Sequence, residues 1–279
     1  MATLKNTNLN LSGSDTGRGI VLPKGTDAQR PANDYPEGAL RYNTDRAYVE
    51  ISHAGSWANL ASMSAPDGAS IVLDPLNYDD TAKIWYDSSG NDNNAAVLGG
   101  SPTKTTSGGG YVNMNGSSDY FQIDNRQRRM DYRSGWTLII WMYTGGPSGR
   151  RNPWDQAYGG YGTWTHEQGN SLSWYVGDNG GNGSPYWGFS SSDTGRDQWV
   201  MMAGTRDVST CHWYRNGSQT GSRNTDYAEL PITSANVRIG LGYAGYWQGR
   251  LGPIISYDRK LTGTEISNIW ESYRGRYGV

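Results

Sequence analysis

The C-terminal stretch, residues 237–279, carries the clearest signals of secondary structure in this chain. Residues 237–240 and 249–257 are short apolar segments separated by a turn rich in glycine and aromatic residues, which predicts two strands. Thr262 and Glu265 then have the T-x-x-E spacing of a capping box, in which each side chain binds a free backbone N–H at the start of a helix. The stretch therefore predicts two strands followed by a helix.

The predicted helix has one apolar face. Its members, Ile266, Ile269, Trp270 and Tyr273, recur at helical spacing. Gly275 is predicted to end the helix, because glycine adopts the left-handed conformation of a helix stop without steric cost. The chain is thus expected to be a mostly β protein that closes with one short helix.

This ending resembles that of laminin-G-like, concanavalin-A-like jelly-roll domains, and other segments follow in the order of that family. The matching segments are residues 87–91 (DSSGN), 111–123, 134–143, 199–204 and 213–217. The resemblance covers residues 68 to 279. It implies an all-β, antiparallel β-sandwich over residues 65–279, preceded by a small β-rich module over residues 1–64.

Composition limits the classes of partner. The net charge of −2 and the isoelectric point near 5.9 favour neither nucleic acid nor an anionic membrane as a partner. The longest apolar run, residues 136–143, is far shorter than the ~20 residues of a membrane-spanning helix. Residues 1–13 lack the apolar core of a signal peptide, so we expect a soluble protein made without secretion. Cys211 is the single cysteine and is expected to be a small buried side chain.

The N-terminal module reads as a β unit without a core of its own. Residues 39–51 predict a hairpin, with Leu40 and Tyr42 alternating on one arm and Val49 and Ile51 on the other. The module has too few large apolar residues to bury an independent core. We therefore expect it to share a core in a symmetric oligomer, predicted to be a homotrimer, or to dock on a larger assembly.

The same module resembles those at the base of bacteriophage fibre and virion appendage proteins. The resemblance lies in residues 19–31 (GIVLPKGTDAQRP), 37–45 (EGALRYNTD) and 55–57 (GSW). It implies a virion structural protein, a fibre or decoration protein, assembled in the host bacterial cytoplasm with other virion structural proteins as partners. An ordinary N-terminal β extension of a lectin is the alternative.

Aromatic residues suggest a ligand surface. The chain has 12 tryptophans and 20 tyrosines but 2 phenylalanines, and rings with a polar tip suit half-buried surfaces, interfaces and sugar platforms. The candidate glycan-binding residues are Trp154, Tyr158, Tyr161, Trp164, Asp178, Asn179, Tyr186 and Trp187. Alternate residues of a strand face the core, so about half of these rings are expected to be structural. The remainder suits a protein interface equally well.

Catalysis and metal binding have weaker support. A glycoside hydrolase needs two carboxylates across the sugar bond, but Glu167 is the only glutamate between Glu50 and Glu229. We therefore predict no enzyme activity and keep glycoside hydrolase as a less favoured alternative. No cofactor is predicted, although the family resemblance allows calcium, with Asp119 and Asp193 as candidate ligands beside Asp178.

Two functions remain open from the sequence. The jelly roll either holds host cell-surface glycan, as an adhesive fibre or decoration, or serves as a purely architectural cement protein. In the second case the aromatics and the basic loop at residues 126–133 would contact neighbouring subunits. A fold alone does not choose between these functions.

Overall fold

The computed structural model describes the greater part of the chain. The described residues are 22–30, 36, 38–45, 48–53, 56–59, 68–125, 135–145, 149–156, 162–168, 170–177, 186–224 and 234–279. The chain divides into two compact units, Met1–Leu60 and Ala61–Val279. The predicted boundary after residue 64 and the strands predicted at residues 8–11 and 19–22 stay predictions, since they lie mainly outside the described residues.

The first unit contains a four-stranded sheet and one turn of 3₁₀ helix. Its strands are β1 (Lys24–Gly25), β2 (Leu40–Asn43), β3 (Tyr48–His53) and β4 (Ser56–Asn59), and the 3₁₀ turn is Asp27–Gln29. β1 pairs in parallel with β2, whereas β2, β3 and β4 form an antiparallel meander. The predicted hairpin is confirmed, with Leu40 opposite Ile51 and Tyr42 opposite Val49.

A buried carboxylate organises the interior of this unit. Glu50 is fully buried and accepts hydrogen bonds from Arg30 and from the Asn43 amide, the latter at 2.7 Å. The Arg41 guanidinium lies 3.7 Å from the same carboxylate and donates to the Thr26 carbonyl. The shortage of apolar residues thus has a structural counterpart, because charged side chains occupy positions that a hydrophobic core would fill.

The second unit is a sandwich built from one long antiparallel path of strands. Its strands are β5 (Ile71–Asp79), β6 (Ile84–Asp87), β7 (Ala95–Gly99), β8 (Thr103–Thr105), β9 (Tyr111–Asn115), β10 (Tyr120–Ile123), β11 (Gly135–Thr144), β12 (Arg151–Asp155), β13 (Thr163–His166), β14 (Ser171–Gly177), β15 (Tyr186–Asp193), β16 (Trp199–Asp207), β17 (Thr210–Arg215), β18 (Ser218–Asn224), β19 (Val237–Ile239), β20 (Leu241–Gly242), β21 (Gly245–Tyr246) and β22 (Gln248–Tyr257). The strand order is β15-β14-β13-β12-β19-β10-β7-β6-β5-β22-β11-β16-β17-β18, with β9 pairing β22 and β8. β20 and β21 form a separate small hairpin.

The central strand β11 is buried on both faces, because its side chains alternate between two cores. Trp136, Leu138, Ile140 and Met142 belong to the core between the two layers of the sandwich. The alternate residues Ile139 and Trp141 belong to a second core on the opposite face, beneath the C-terminal helix. The predicted antiparallel sandwich with one short C-terminal helix is confirmed.

The C-terminal helix α1 spans Gly263–Tyr277 and begins as predicted. The Thr262 side chain accepts from the Glu265 N–H at 3.2 Å, and the Glu265 carboxylate accepts from the Thr262 N–H at 2.8 Å, which completes the capping box. The predicted stop at Gly275 is wrong, because the left-handed residue is Gly278, with φ 68°. Tertiary contacts extend the helix past Gly275, since the Tyr277 ring stacks on Trp141 at 4.8 Å and its hydroxyl donates to the Gly110 carbonyl.

Two further expectations concern single residues. Asn216 and Gly217 both have positive φ and form the tight turn between β17 and β18, as an Asn-Gly pair favours. Cys211 is fully buried on β17, and burial raises the pKa of its thiol to about 12. Within the described residues, no helix has the length and apolar character needed to span a membrane.

Candidate functional site

Two of the predicted glycan-binding residues are part of the core. Trp154 on β12 and Trp164 on β13 are fully buried. The Trp154 ring packs 6.2 Å from Trp136, and the Trp164 ring lies 4.7 Å from Trp213. Their assignment to a sugar platform is wrong, because a ring without an exposed face cannot stack on a ligand.

The other six predicted residues stay predictions. Tyr158, Tyr161, Asp178 and Asn179 lie outside the described residues. Tyr186 and Trp187 begin β15, where their backbones pair with Gly177 and Val176 of β14, but their side chains are outside the description. The basic loop at residues 126–133 is also outside it.

A cluster of polar and aromatic side chains lies on the surface of the same part of the sandwich. Arg150 precedes β12 and forms an ion pair with Glu167, which follows β13, at 2.7 Å. The Tyr175 hydroxyl, from β14, donates to the Glu167 carboxylate at 2.9 Å. The Arg150 guanidinium also donates to the Tyr243 hydroxyl at 2.6 Å. We call these four residues the Arg150–Glu167 cluster.

The electrostatics of the cluster keep it charged and protonated near neutral pH. The hydrogen bond from Arg150 to Glu167 raises the pKa of the guanidinium, so this cation does not titrate. Burial raises the pKa of the phenols of Tyr175 and Tyr243, and the hydrogen bond to Glu167 adds to the rise at Tyr175. Both tyrosines therefore remain hydrogen-bond donors near neutral pH.

A narrow cleft of about 290 Å³ adjoins the cluster and shares Glu167 with it. The residues lining the cleft are Thr144, Gly145, Gly149, Arg151, His166, Glu167, Gln168, Asn170, Arg196, Trp247 and Gln248. His166 packs edge-on against Trp247 with ring centroids 5.8 Å apart, and its Nε2 lies 3.3 Å from the Thr194 hydroxyl. The lining therefore offers amides, guanidiniums and one carboxylate to a polar ligand.

The chemistry of this cleft suits binding better than hydrolysis. Glu167 is the one carboxylate in its lining, and it is already paired with Arg150. Glycoside hydrolysis requires a second carboxylate across the scissile bond. Glu167 was interpreted from the sequence as a solvated surface residue, and that interpretation is wrong because it joins Arg150 and Tyr175.

The calcium candidates have no site in the described residues. Asp119 accepts hydrogen bonds from the backbone N–H groups of Ser101 and Asn115, at 2.8 and 2.9 Å, and so holds the turn between β9 and β10. In the part of the chain that the structure describes, no three His, Cys, Asp or Glu side chains converge on a common point. Asp178 and the side chain of Asp193 are outside that part, so calcium binding stays a prediction.

Sequence reasoning missed most of the Arg150–Glu167 cluster. Arg150 was interpreted as turn chemistry, and Tyr243 as part of a glycine-rich turn. The three segments that build the cluster are 17 and 93 residues apart along the chain when measured from Arg150 to Glu167 and Tyr243. The opposite charges of Arg150 and Glu167 were the available signal, but nothing local pairs them.

Comparison with known proteins places the second unit in a family. A family model described as the concanavalin A-like lectin/glucanases superfamily matches residues 115–267, more than half of the chain. No curated protein matches this chain.

Several solved structures share the fold at low sequence identity. The binding domain of Paraclostridial Mosquitocidal Protein 1 has a TM-score of 0.60 at 16% identity, over 74% of this chain and 52% of that one. The receptor-binding domain of botulinum neurotoxin C/D mosaic serotype has a TM-score of 0.58 at 14% identity, over 74% of this chain and 51% of that one. The present chain thus spans about half the length of these toxin domains.

A third similar structure includes a sugar. Domain 4 of AbnA, a GH43 extracellular arabinanase from Geobacillus stearothermophilus, was solved in complex with arabinotriose. Its TM-score is 0.57 at 15% identity, over 72% of this chain and 97% of that one. At such identities these structures establish the fold and leave the ligand of this chain to its own residues.

Proposed function

This chain belongs to the concanavalin A-like lectin/glucanase superfamily, and from that membership we propose that its jelly roll binds carbohydrate on a bacteriophage virion. The N-terminal module would attach the protein to the particle as a homotrimer, in contact with other virion structural proteins. The jelly roll would then face outward and hold host cell-surface glycan, as a fibre or decoration protein.

The observation that carries the sugar-binding part is the cleft beside the Arg150–Glu167 cluster. Sugars are held by aromatic rings together with a few convergent polar groups, and the two tyrosines, the amides of Gln168 and Gln248 and the carboxylate of Glu167 provide this mixture. The arabinanase domain solved with arabinotriose adds support, because it shows that a similar fold occurs with an oligosaccharide.

Replacing Glu167 with glutamine tests this site. The change removes the charge that pairs with Arg150 and weakens the acceptor for the Tyr175 hydroxyl, so sugar affinity is expected to fall about tenfold, a loss of about 1.4 kcal/mol. Affinity of the full chain for the best sugar of a glycan array, measured by calorimetry, gives the result.

The matched control for that variant is Glu271→Gln on the C-terminal helix. Glu271 also forms a surface ion pair, with Arg274 at 2.7 Å, but lies away from the cleft lining. Affinity should stay at the wild-type value in this control. Equal affinity in Glu167→Gln and wild type would place the sugar elsewhere.

The attachment part rests on an inverted arrangement of side chains in the first unit. Along β2, Leu40 and Tyr42 are 38% and 37% exposed, whereas the charged and amide residues between them, Arg41 and Asn43, are buried. Their cross-strand neighbours Ile51 and Val49 are half-buried. An exposed apolar face above a polar interior suits contact with other copies of the module, because burying that face removes apolar surface from water.

We expect the double variant Leu40→Ser, Tyr42→Ser to convert a trimer into a monomer. The variant places two hydroxyls in the apolar contact while leaving Arg41, Asn43 and Glu50 intact. Light-scattering mass over a range of protein concentrations reports the change. Leu98→Ser is the control, since Leu98 is 53% exposed on β7 of the jelly roll and should leave the mass unchanged. A wild-type chain that is monomeric at every concentration would remove self-assembly from the proposal.

The architectural alternative differs in one respect. A cement protein would use its aromatic and polar surfaces against neighbouring subunits, so it would form the same trimer and bind no glycan. The Glu167→Gln experiment separates the two, because it requires a sugar ligand.

A further inference from the structure

A row of side chains crosses five strands on the face of the sandwich that also carries the C-terminal helix. In strand order the row consists of Thr103 (β8), Asn113 (β9), Arg250 (β22), Tyr143 (β11) and Trp199 (β16). Each residue is the direct cross-strand partner of the next, and such partners share a face of the sheet. We call this set the Arg250 row. Its four interstrand steps of ~4.8 Å give a length of about 19 Å, enough for a short oligosaccharide.

The row continues the surface at the end of the helix. The Trp199 ring lies 4.3 Å from the ring of Tyr277, the last residue of α1, and 5.8 Å from Tyr143. Trp199 is largely covered, but Tyr143, Arg250 and Asn113 are half-buried and reach solvent. The helix therefore ends beside the row and leaves it open.

The Arg250 guanidinium lies over two aromatic rings at the centre of the row. Its Cζ atom is 4.5 Å from the ring centroid of Tyr143 and 4.8 Å from that of Tyr111. Contact with aromatic faces stabilises the cation and fixes the position of its plane. The N–H donors of a guanidinium lie at the edge of that plane, so contacts with its faces leave them available.

Arg250 has no carboxylate partner among the described residues. Its contacts there are the rings of Tyr111 and Tyr143. Arg150, by comparison, is paired with Glu167, and Arg276 is paired with Asp74 at 2.5 Å. Arg250 is therefore a positioned cation whose planar donors match the geometry of a carboxylate.

Polar groups suited to sugar hydroxyls stand next to Arg250. The Asn113 amide donates to the Thr105 hydroxyl at 3.1 Å, which fixes an amide and a hydroxyl side by side. Thr103 is exposed at the edge of the row. The surface thus combines aromatic rings, one cation and small polar groups, with no long apolar channel of the kind that would select a peptide side chain.

We propose that the Arg250 row binds an acidic saccharide, with the carboxylate of a uronic or sialic acid unit on the Arg250 guanidinium. The sugar ring lies against Tyr111 or Tyr143, and its hydroxyls meet Asn113 and the threonines. The inference rests on the proposed carbohydrate-binding function, and it adds a second site and a ligand class. The protein as a whole is slightly acidic, so this recognition depends on the local cation and not on the net charge.

The test compares a carboxylated sugar with its neutral form. The full chain is titrated with a galacturonic acid tetrasaccharide and with the methyl ester of the same tetrasaccharide, and then with sialyllactose and lactose. We expect at least one acid to bind at least tenfold more tightly than its neutral counterpart. The pair that shows the difference identifies uronic or sialic acid as the source of the carboxylate.

Variants at Arg250 assign the site. Arg250→Ala should lose at least tenfold in affinity for the acid, and Arg250→Lys should lose less, because it keeps the charge without the planar fork. Arg274→Ala, which removes an exposed arginine from α1, should bind as the wild type does. The melting temperature of each variant shows that the fold is retained.

Three results would overturn the inference. They are equal affinity for acid and neutral forms, wild-type affinity in Arg250→Ala, and a poly-glutamate peptide that binds as tightly as the acidic sugars, which would identify a protein-docking surface. Failure here is distinguishable from failure of the proposed function, because Glu167→Gln tests the cleft with the best sugar of the array.

Discussion

Replacing Trp164 with alanine is expected to lower the free energy of unfolding of the jelly roll by about 3–5 kcal/mol, the usual loss for a large buried ring. Trp164 is fully buried, with ring centroids 4.7 Å from Trp213 and 6.4 Å from Trp174. Gly204 lies against the same ring, since a Cβ atom added there would be 2.8 Å from Trp164. The surrounding rings and strand cannot close fully over the space left, and a cavity remains. Denaturant unfolding followed by tryptophan fluorescence measures the loss.

Trp270→Ala is the matched control for that experiment. Trp270 on α1 stacks on Trp141 at 5.1 Å, but it is half-buried, so less apolar area is lost and a smaller decrease is expected. A Trp164→Ala protein that keeps wild-type stability but loses sugar binding would contradict the core assignment and restore the ring to a binding site.

Replacing Glu50 with alanine is expected to destabilise the N-terminal unit by about 3–5 kcal/mol. The carboxylate is fully buried and accepts from Arg30 and Asn43, with Arg41 also within 3.7 Å. Removing it leaves two guanidiniums and an amide without their common partner, and a buried charge without its counterion is costly. Hydrogen exchange of the β2 and β3 amides should become fast, and the trimer should be lost in light scattering.

Glu50→Gln separates the charge from the shape. Glutamine keeps a carbonyl acceptor for Asn43 but removes the negative charge that meets Arg30 and Arg41, so an intermediate loss is expected. Unchanged amide protection in Glu50→Ala would show that the sheet of the first unit holds together by other contacts.

Local signals predicted the start of the C-terminal helix and the main strands of the sandwich. The capping box at Thr262 and Glu265 involves neighbours in sequence, and it forms as expected. The end of the helix depended on Tyr277 packing against Trp141, which no local pattern contains, and the predicted stop at Gly275 was therefore three residues early.

Aromatic content did not mark the surface. Residues Thr163 to His166 of β13 are buried on both faces, so strand alternation gave no way to choose the side on which Trp164 lies. The motif residues of the N-terminal unit behaved similarly. Arg30 and Glu50 are 20 residues apart, and their pairing in a polar interior could not be read from the segments that carry them.

The two candidate sites depend on tertiary structure to a still greater extent. The Arg250 row brings together residues 103, 113, 143, 199 and 250, each unremarkable in its own segment. Strand register alone makes them neighbours. The same holds for the contact between Arg150 and Tyr243.

The most direct test of the central claim is a glycan array probed with the full-length chain, with Glu167→Gln and Arg250→Ala beside it. The account predicts that the wild type retains a defined class of sugar and that at least one of the two variants loses it. A folded, trimeric wild-type chain that binds no glycan on the array would contradict carbohydrate binding and leave the architectural role.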